Sequence, residues 1–345
     1  MCEHLFVMRW ENLKVEQEDG ARLPGYKDPA VVRTFDAPEA LGTRFYEVNA
    51  RSALNKVPKQ SKMPFRWTIN PYRGCTHACV YCFARPSHTY LDLNAREDFE
   101  REIVVKVNVP ELLRAELGRP SWKREHVALG TNTDPYQWVE GRYELMRGIW
   151  EAMRDFSNPC SILTKSPLLL RDIELMKEIS ERTEFGASLS VPTLDEQAWR
   201  ATEPHTPHPR KRLEAVGELN RAGIPTGILV APLIPGVNDA PQQVEEILEL
   251  AADAGAANVT GIGLHLRGEV RDIWFDWLRD NRPDLIPRYE ELYARGAYLP
   301  TEERERLGAL TKRGRRDQPT GFRGRDPAPK RRSTEPAQAG QPKLF

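Results

Sequence analysis

Three cysteines lie within eight residues of one another, at Cys75, Cys79 and Cys82. Cysteine thiolates are soft ligands that suit iron–sulfur clusters, zinc or copper(I). Spacings of three and two intervening residues allow one short loop to wrap a compact cluster and to contact three of its four irons. The fourth iron would then have no protein ligand, whereas an electron-transfer cluster normally has four cysteine ligands. The spacing therefore predicts an iron–sulfur site with one iron open to a substrate.

The same loop also allows a structural zinc site, with His77 as the fourth ligand beside the three cysteines. Zinc sites usually join two separated pairs of ligands, whereas all the candidate ligands here share one short loop. The iron–sulfur interpretation is favoured, and a zinc site in a protein without turnover stays open as the alternative.

Six short apolar runs alternate with amphipathic stretches in the central part of the chain. This alternation predicts βαβ units around a parallel sheet, in either an open or a barrel arrangement. The cysteines follow the first of these strands, where the βα loops of α/β proteins build active sites. The predicted strands are Arg66–Asn70, His126–Gly130, Cys160–Thr164, Phe185–Val191, Thr226–Pro232 and Val259–His265. The predicted helices are Phe99–Leu117, Arg142–Phe156, Leu168–Arg182, His208–Ala222, Pro241–Ala254 and roughly Val270–Asp280.

Both ends of the chain differ from this central region. Residues 1–60 are polar and contain several prolines, which predicts an irregular N-terminal extension with short strands around Val31–Phe35 and Phe45–Val48. Residues 61–270 hold the predicted sheet, and residues 271–310 are a predicted helical extension. The tail, residues 311–345, has too few apolar residues to offset its chain entropy, so we expect disorder there.

The bulk composition limits the classes of protein to consider. The chain has 345 residues, 40% of them hydrophobic, and its 50 basic residues balance 50 acidic ones, so net charge gives no sign of a nucleic-acid partner. We find no run of about 18 apolar residues, as a transmembrane helix would need. The first residues are also too polar for a signal peptide. We therefore expect a cytoplasmic protein without membrane association. Five cysteines in such a chain argue against a disulfide framework and favour metal or redox use of the clustered ones.

The cysteine loop, with an aromatic residue just before its last cysteine, resembles the signature of the radical S-adenosylmethionine (SAM) superfamily. In that family the cluster follows the first strand of a partial (β/α)6 TIM-type barrel, and the open iron binds the amine and carboxylate of SAM. The resemblance implies a [4Fe–4S] cluster on the three cysteines and reductive cleavage of SAM to a 5′-deoxyadenosyl radical. It also implies an electron donor as a partner. The protein itself binds and orients the reactants and excludes water, because the cofactor carries out the radical chemistry.

Within the superfamily the chain looks most like the spore photoproduct lyase-like, or DNA repair photolyase-like, proteins. Residues 130–134, at the end of the second strand, look like the Cys-Thr-Ser-Asp segment of the lyase. The pair Thr164-Lys165, at the end of the third strand, resembles a Thr-Lys pair whose lysine contacts the SAM carboxylate. The resemblance implies a lysine that pairs with the SAM carboxylate, side chains that hydrogen-bond the ribose and a ring that packs on adenine. Serines and threonines at strand ends can equally tie down local backbone. The candidate SAM-binding residues are Tyr81, Asn132, Lys165, Ser188 and Ser190.

Two features depart from the lyase pattern. The lyase uses a cysteine as hydrogen donor, whereas the matching residue here is Thr131, whose O–H bond is too strong for that role. Cys160 is the other candidate donor, at the start of a strand, where core packing is the usual role of a cysteine. The second strand also has no Gly-Gly-Glu motif, so other residues must hold the SAM amino group. These departures argue against photoproduct reversal as the reaction.

The C-terminal sequence, Gln341-Pro-Lys-Leu344-Phe345, matches the Gln-x-x-Leu-Phe pattern of short peptides that dock on the bacterial sliding clamp. In such a peptide Leu and Phe insert into a groove while Gln forms hydrogen bonds, and a disordered tail presents all three. Residues 312–332 before it carry nine basic and two acidic side chains, which would attract phosphates. The sliding clamp and a nucleic acid are therefore predicted partners.

Together these patterns predict a radical SAM enzyme, with a repair-type lyase reaction on DNA or another nucleic acid. One alternative is a radical SAM enzyme that modifies a peptide or a small molecule. The other is a non-catalytic nucleic-acid-binding adaptor with a structural zinc site, which would contain zinc and would not cleave SAM.

Overall fold

A computed structural model describes residues 15–21, 23–40, 42–61 and 63–312. The strands are β1 Val15–Ala21, β2 Ala30–Phe35, β3 Arg44–Val48, β4 Asn55–Lys56, β5 Trp67–Ile69, β6 Tyr72–Arg73, β7 Glu102–Lys106, β8 Val127–Leu129, β9 Cys160–Thr164, β10 Phe185–Ser190, β11 Thr226–Leu233 and β12 Val259–Gly263. The helices are α1 Glu97–Arg101, α2 Val109–Leu117, α3 Glu140–Tyr143, α4 Leu145–Asp155, α5 Ile173–Arg182, α6 Glu196–Thr202, α7 Pro209–Arg221, α8 Pro241–Asp253, α9 Glu269–Asn281, α10 Ile286–Leu292 and α11 Thr301–Leu310.

The larger sheet contains seven strands in the order β12-β11-β10-β9-β8-β5-β4. Strands β5 and β8 to β12 are parallel and neighbour one another in chain order, and the edge strand β4 is antiparallel. Each parallel strand returns through a helical crossover, so their carboxyl ends meet at one edge of the sheet. This arrangement confirms the predicted α/β fold, with the six parallel strands of a partial (β/α)6 barrel.

The crossover helices bury apolar residues at helical spacing against the sheet. Helix α4 shows the pattern with Met146, Ile149, Trp150 and Met153, all fully buried. Positions three and four apart lie on one face of a helix, so these side chains form a single stripe toward the strands. Among the helices of the described ranges, none is both long and apolar enough to cross a membrane.

A second sheet of five strands joins the N-terminal segment to the central region, in the order β1-β2-β3-β7-β6. Strands β3 and β7 pair in parallel, with Phe45 opposite Ile103, and β6 and β7 pair antiparallel, with Tyr72 opposite Val105. The strands predicted around residues 31–35 and 45–48 are confirmed as β2 and β3. Because β6 leads directly into the cysteine loop, this sheet holds one end of that loop.

The structure differs from the predicted elements in several places. The N-terminal extension, predicted to be irregular, also forms β1 and β4, and the predicted helix Arg142–Phe156 is divided into α3 and α4 at Glu144, whose φ of +51° is left-handed. The predicted helix Phe99–Leu117 is in fact α1, β7 and α2, because Ile103, Val104 and Val105 are β-branched, fully buried and paired with β3. Helix α6 was not predicted, since its seven residues are too few to show an amphipathic period. The predicted disordered tail lies outside the described residues from position 313 onward.

Gly130 lies where β8 approaches the backbone of β9. Its φ is +73°, and a Cβ atom added there would lie 1.8 Å from the carbonyl oxygen of Leu163. Gly130→Ala should therefore disrupt the pairing of two central strands. We expect either loss of the folded protein or a drop in the free energy of unfolding well beyond the about 1–2 kcal/mol that a left-handed conformation costs a residue with a Cβ. Urea denaturation measures the drop.

Gly223→Ala is the matched control for this prediction. Gly223 has a similar φ of +84°, but a Cβ atom there would meet no atom within 4 Å. Its substitution adds backbone strain without a clash, so a loss of about 1–2 kcal/mol is expected. Equal losses in the two alanine variants would show that the close approach to β9 is unimportant.

Candidate active site

The cysteine loop begins directly after β6 and winds back on itself in tight turns. The Ala78 N–H donates to the Cys75 carbonyl at 3.2 Å, and the Cys82 N–H donates to the Cys79 carbonyl at 3.2 Å. Gly74 enters the loop with φ +83°, and a Cβ atom there would lie 2.9 Å from two neighbouring side chains. Glycine therefore allows both the turn and the close packing beneath the loop.

A buried arginine, Arg85, holds the loop from inside the protein. Its guanidinium donates to the carbonyl oxygens of Ala78 at 3.1 Å and Cys79 at 3.0 Å, and it forms an ion pair with Glu100. The planar guanidinium can satisfy several carbonyls at once without losing its charge. Arg85 thus fixes the backbone of the loop while the cysteine side chains remain available as ligands.

Two residues that follow β8 tie down the start of the loop. The Gln137 side chain accepts from the Thr76 N–H at 2.9 Å and donates to the Gly74 carbonyl at 3.1 Å. Beside it, His77 Nδ1 lies 3.4 Å from Asp134 Oδ2. These contacts join the cysteine loop to the carboxyl end of the second strand of the parallel sheet.

The three cysteines of the loop form no disulfide bond, and Cys82 is half-buried. Cys75 and Cys79 are each 6% exposed. Burial raises the pKa of Cys79 well above its ordinary value and the pKa of Cys82 to about 11. A metal would bind these groups as thiolates and release their protons, and three soft sulfur donors on one loop suit an iron–sulfur cluster. Within the described ranges no group of three His, Cys, Asp or Glu side chains is set to hold a metal ion. The fit therefore rests on donor chemistry and not on a formed ligand geometry.

Asp134 joins the carboxyl ends of β8 and β9. Its carboxylate accepts from the Thr164 hydroxyl at 2.6 Å and from the Lys165 N–H at 2.7 Å. Burial would raise the pKa of Asp134, but the charge of His77 and these hydrogen bonds hold it below the ordinary value. The carboxylate is therefore ionised, and it fixes the backbone at the point where the Lys165 side chain leaves β9.

The Lys165 ammonium lies in a cluster of polar groups at this edge of the sheet. Its Nζ is 2.9 Å from Glu203 Oε1 and donates to the Ser190 hydroxyl at 2.7 Å. It also lies 5.7 Å from the centre of the Tyr81 ring, whose hydroxyl donates to Glu203. The structure thus brings together three candidate residues, Tyr81, Lys165 and Ser190.

Glu203 and Arg212, which the sequence analysis missed, complete this cluster, and both side chains are fully buried. Arg212 Nη2 lies 2.6 Å from Glu203 Oε2, and Nη1 donates to the Ser190 carbonyl at 2.9 Å. Burial would raise the pKa of Glu203, but the charges of Arg212 and Lys165 outweigh it and hold the pKa far below the ordinary range. The Lys165 side chain keeps 15% of its surface exposed. Glu203 is therefore a positioning residue, and Lys165 is the charged group that a ligand can reach.

The remaining candidates are placed differently. Ser188 is buried two residues before Ser190 on the same face of β10, and Asn132 is half-buried in the turn after β8. Cys160 is fully buried at the first residue of β9, whereas Lys165 follows the last residue of that strand. The direction of β9 therefore places Cys160 at the opposite end of the sheet, away from the site. The clamp-binding candidates Gln341, Leu344 and Phe345 lie outside the described residues.

Glu203→Gln should lower the free energy of unfolding by about 3–5 kcal/mol, because the fully buried Arg212 would lose its carboxylate partner and Lys165 would lose the same charge. Urea denaturation measures this loss. Glu246→Gln is the matched control, since Glu246 pairs with Arg210 at 2.6 Å on the exposed surface. Surface pairs contribute at most about 1 kcal/mol. Similar small losses in both variants would contradict the structural role assigned to Glu203.

Relatives of the chain occur in mycobacteria and in an archaeon. Uncharacterized proteins of Mycobacterium tuberculosis and Mycobacterium bovis are each 47% identical over 305 residues, which cover 87% of this chain and 89% of each relative. An uncharacterized protein of Methanocaldococcus jannaschii is 29% identical over 199 residues, which cover 56% of this chain and 69% of the relative.

Solved structures with a similar fold include spore photoproduct lyase complexed with dinucleoside spore photoproduct. It matches with a TM-score of 0.57 and 16% identity, over 78% of each chain. A mutant of the lyase with bound AdoMet and the same photoproduct matches with a TM-score of 0.58 and 15% identity, over 78% of each chain. At these identities the likeness is one of fold.

The family model of the radical SAM superfamily matches residues 69–251, more than half of the chain. The matched span contains the cysteine loop, strands β8 to β11 and the cluster around Lys165 and Glu203. The signature of the loop, the parallel sheet and the family match agree with one another. The chain therefore belongs to the radical SAM superfamily and is a radical SAM enzyme.

Proposed function

We propose that this enzyme holds a [4Fe–4S] cluster on Cys75, Cys79 and Cys82 and uses SAM in a repair-type reaction on DNA or another nucleic acid. The observation that carries the proposal is the enclosed cysteine loop beside the Lys165 ammonium, at the carboxyl ends of the parallel strands. Active sites of this architecture lie at that edge of the sheet. Membership of the family implies both cofactors.

The chemistry that the cluster and SAM supply, when bound and reduced by an electron donor, is a 5′-deoxyadenosyl radical. The residues of the chain orient the reactants and exclude water. Lys165 would pair with the SAM carboxylate, and its Nζ is already held 2.9 Å from Glu203 and 2.7 Å from the Ser190 hydroxyl. Because the ammonium is oriented in advance, little reorganisation is needed when the ligand binds.

Tyr81 would pack against the adenine of SAM. Its ring is buried next to the Lys165 ammonium, and its hydroxyl donates to Glu203. The ring is thus held at both ends, by its bond to the backbone and by this hydrogen bond. Asn132 follows β8, and Ser188 and Ser190 lie in the last three residues of β10, with β9 between the two strands; these side chains would hydrogen-bond the ribose. These five residues form the proposed SAM site.

The position of Cys160 bears on how the reaction ends. Among the described residues it is the one cysteine outside the loop, and it is fully buried at the far end of β9. The residue in the donor position of the lyase is Thr131. The proposed reaction therefore differs from photoproduct reversal in its last hydrogen transfer, which does not use a thiol of the described chain.

Two observations support a nucleic acid as the substrate. One is the fold shared with spore photoproduct lyase, whose solved complex contains a dinucleoside spore photoproduct. The other is the basic character of residues 312–332, since clustered basic residues attract the phosphate backbone. A damaged base inside a duplex would have to be turned out of the stack, at a cost of a few kcal/mol.

The first test is anaerobic reconstitution with iron and sulfide, followed by reduction with dithionite in the presence of SAM. The wild-type chain should release 5′-deoxyadenosine, and Cys79→Ala should release none because the cluster would lose a ligand. Cys160→Ala is the matched control and should retain the activity, since Cys160 lies at the opposite end of β9. Chromatography of the products measures the nucleoside.

The outcomes separate the proposal from its alternatives. Tightly bound zinc and no SAM cleavage would support the adaptor with a structural metal site and overturn the proposed chemistry. SAM cleavage that damaged DNA and RNA leave unchanged, but that a peptide or small molecule stimulates, would support the other enzymatic alternative.

Removal of residues 341–345 tests the proposed partner. If this segment docks on the bacterial sliding clamp, the full chain should bind the clamp in a pull-down and the shortened chain should not, because Leu344 and Phe345 would supply the apolar contacts. Replacement of Lys343 by alanine is the control, since that position is variable in the motif. Clamp binding that survives the deletion would remove this support for a role on DNA.

A further inference from the structure

A cavity of about 270 Å³ lies between the N-terminal segment and the ends of β6 and β7. Three of the side chains that line it are cationic, Arg51, Arg73 and Lys106, and two are aromatic, Tyr26 and Tyr90. The described residues that line the cavity include no Asp or Glu. A concave site with three positive charges and no acid is suited to an anion.

The cations of the cavity have no carboxylate partner within the described part of the chain. Arg51 is exposed and Arg73 half-buried, and neither forms an ion pair there. Lys106 is buried, and its Nζ donates to the carbonyl oxygen of Asn70 at 2.8 Å. A neutral carbonyl satisfies one N–H but does not balance the charge, so burial and the nearby Arg73 lower the pKa of Lys106 to about 8. A bound anion would supply the missing charge.

The cavity lies at the base of the cysteine loop. Arg73 is the last residue of β6 and precedes the first cluster cysteine, Cys75, by two positions. Lys106 is the last residue of β7 and contacts the backbone just after β5, the first parallel strand of the larger sheet. A molecule held by these two cations is therefore next to the segment that carries the proposed cluster.

The aromatic residues indicate which kind of anion fits. Tyr90 lines the cavity and is 79% exposed, so its ring is accessible to a ligand. An aromatic ring beside cationic side chains is the combination with which proteins hold single-stranded nucleic acids, because bases stack on the ring while phosphates meet the cations. A phosphate ester without a base would use the cations but not Tyr90.

We propose that the cavity lined by Arg51, Arg73 and Lys106 binds a backbone phosphate of a single-stranded or unpaired polynucleotide, with a neighbouring base stacked on Tyr90. This inference rests on the proposed function, since it locates a substrate contact of that same reaction. It assigns to the N-terminal segment, through Arg51, a part in substrate binding. The phosphate contact would hold the polynucleotide while the reacting nucleotide enters the site beside the cysteine loop.

The test is the affinity of the full chain for a short labelled single-stranded DNA, measured by fluorescence anisotropy at several salt concentrations. The double variant R73Q/K106Q should bind at least about tenfold more weakly, because two charged donors to phosphate are lost. Its slope of log affinity against log salt should fall by about 0.7 for each lost phosphate contact. Arg51→Gln changes one exposed side chain and should show a smaller loss of the same kind, so the proposal stays testable if the double variant does not fold.

The matched control is R119Q/K123Q, which removes two exposed cations from the segment before β8. Neither residue lines the cavity. It should leave the affinity unchanged, and the basic tail is identical in all variants. Equal affinities of R73Q/K106Q, Arg51→Gln and the control would overturn the cavity as a phosphate site. Wild-type protein that binds no single-stranded DNA would instead overturn the nucleic-acid substrate itself. Inorganic phosphate that raises the melting temperature of the wild type but not of R73Q/K106Q, without DNA binding, would assign the cavity to a small phosphate ester and overturn the polynucleotide.

Discussion

A carboxylate buried between two cations, Glu203 between Arg212 and Lys165, joins the parts of this site into one arrangement. An ionised carboxylate inside a protein is tolerated only where opposite charges and hydrogen bonds surround it. Those partners come from the end of β9, from α7 and from the cysteine loop through Tyr81. The loop, the strand and the helix must therefore adopt one relative position, since any other would leave a buried charge unpaired.

Some residues of the site position other groups, whereas others are accessible to a ligand. Arg85 and Asp134 act on backbone, the first on the carbonyls of the cysteine loop and the second on the N–H of Lys165. Glu203 acts on side chains and is itself shielded from solvent. Rigid positioning of this kind matters for radical chemistry, because a reactive intermediate that can move reacts with the wrong bond or with water.

The sequence was enough to predict the six parallel strands and the loop that carries the cysteines. Short apolar runs separated by turn residues and amphipathic stretches indicate the buried strands of a parallel sheet. The close spacing of Cys75, Cys79 and Cys82 places them on one loop. The strand β7 could not be predicted, because its partner β3 lies more than fifty residues earlier and a short apolar run fits a helix equally well. Glu203 and Arg212 read as solvated charges in the sequence, since only the folded chain shows that they are buried together.

The pairing of β7 with β3 determines whether the segment matched by the family model can fold on its own. That segment, residues 69–251, contains β7 but not β3, which lies in the N-terminal part of the chain. Without β3, the backbone of β7 would become a free sheet edge, next to the fully buried side chains Ile103, Val104 and Val105. A free edge with apolar side chains recruits strands from other molecules. We therefore expect the family segment alone to be prone to aggregation, because in the full chain β3 covers the edge of β7 within the same molecule.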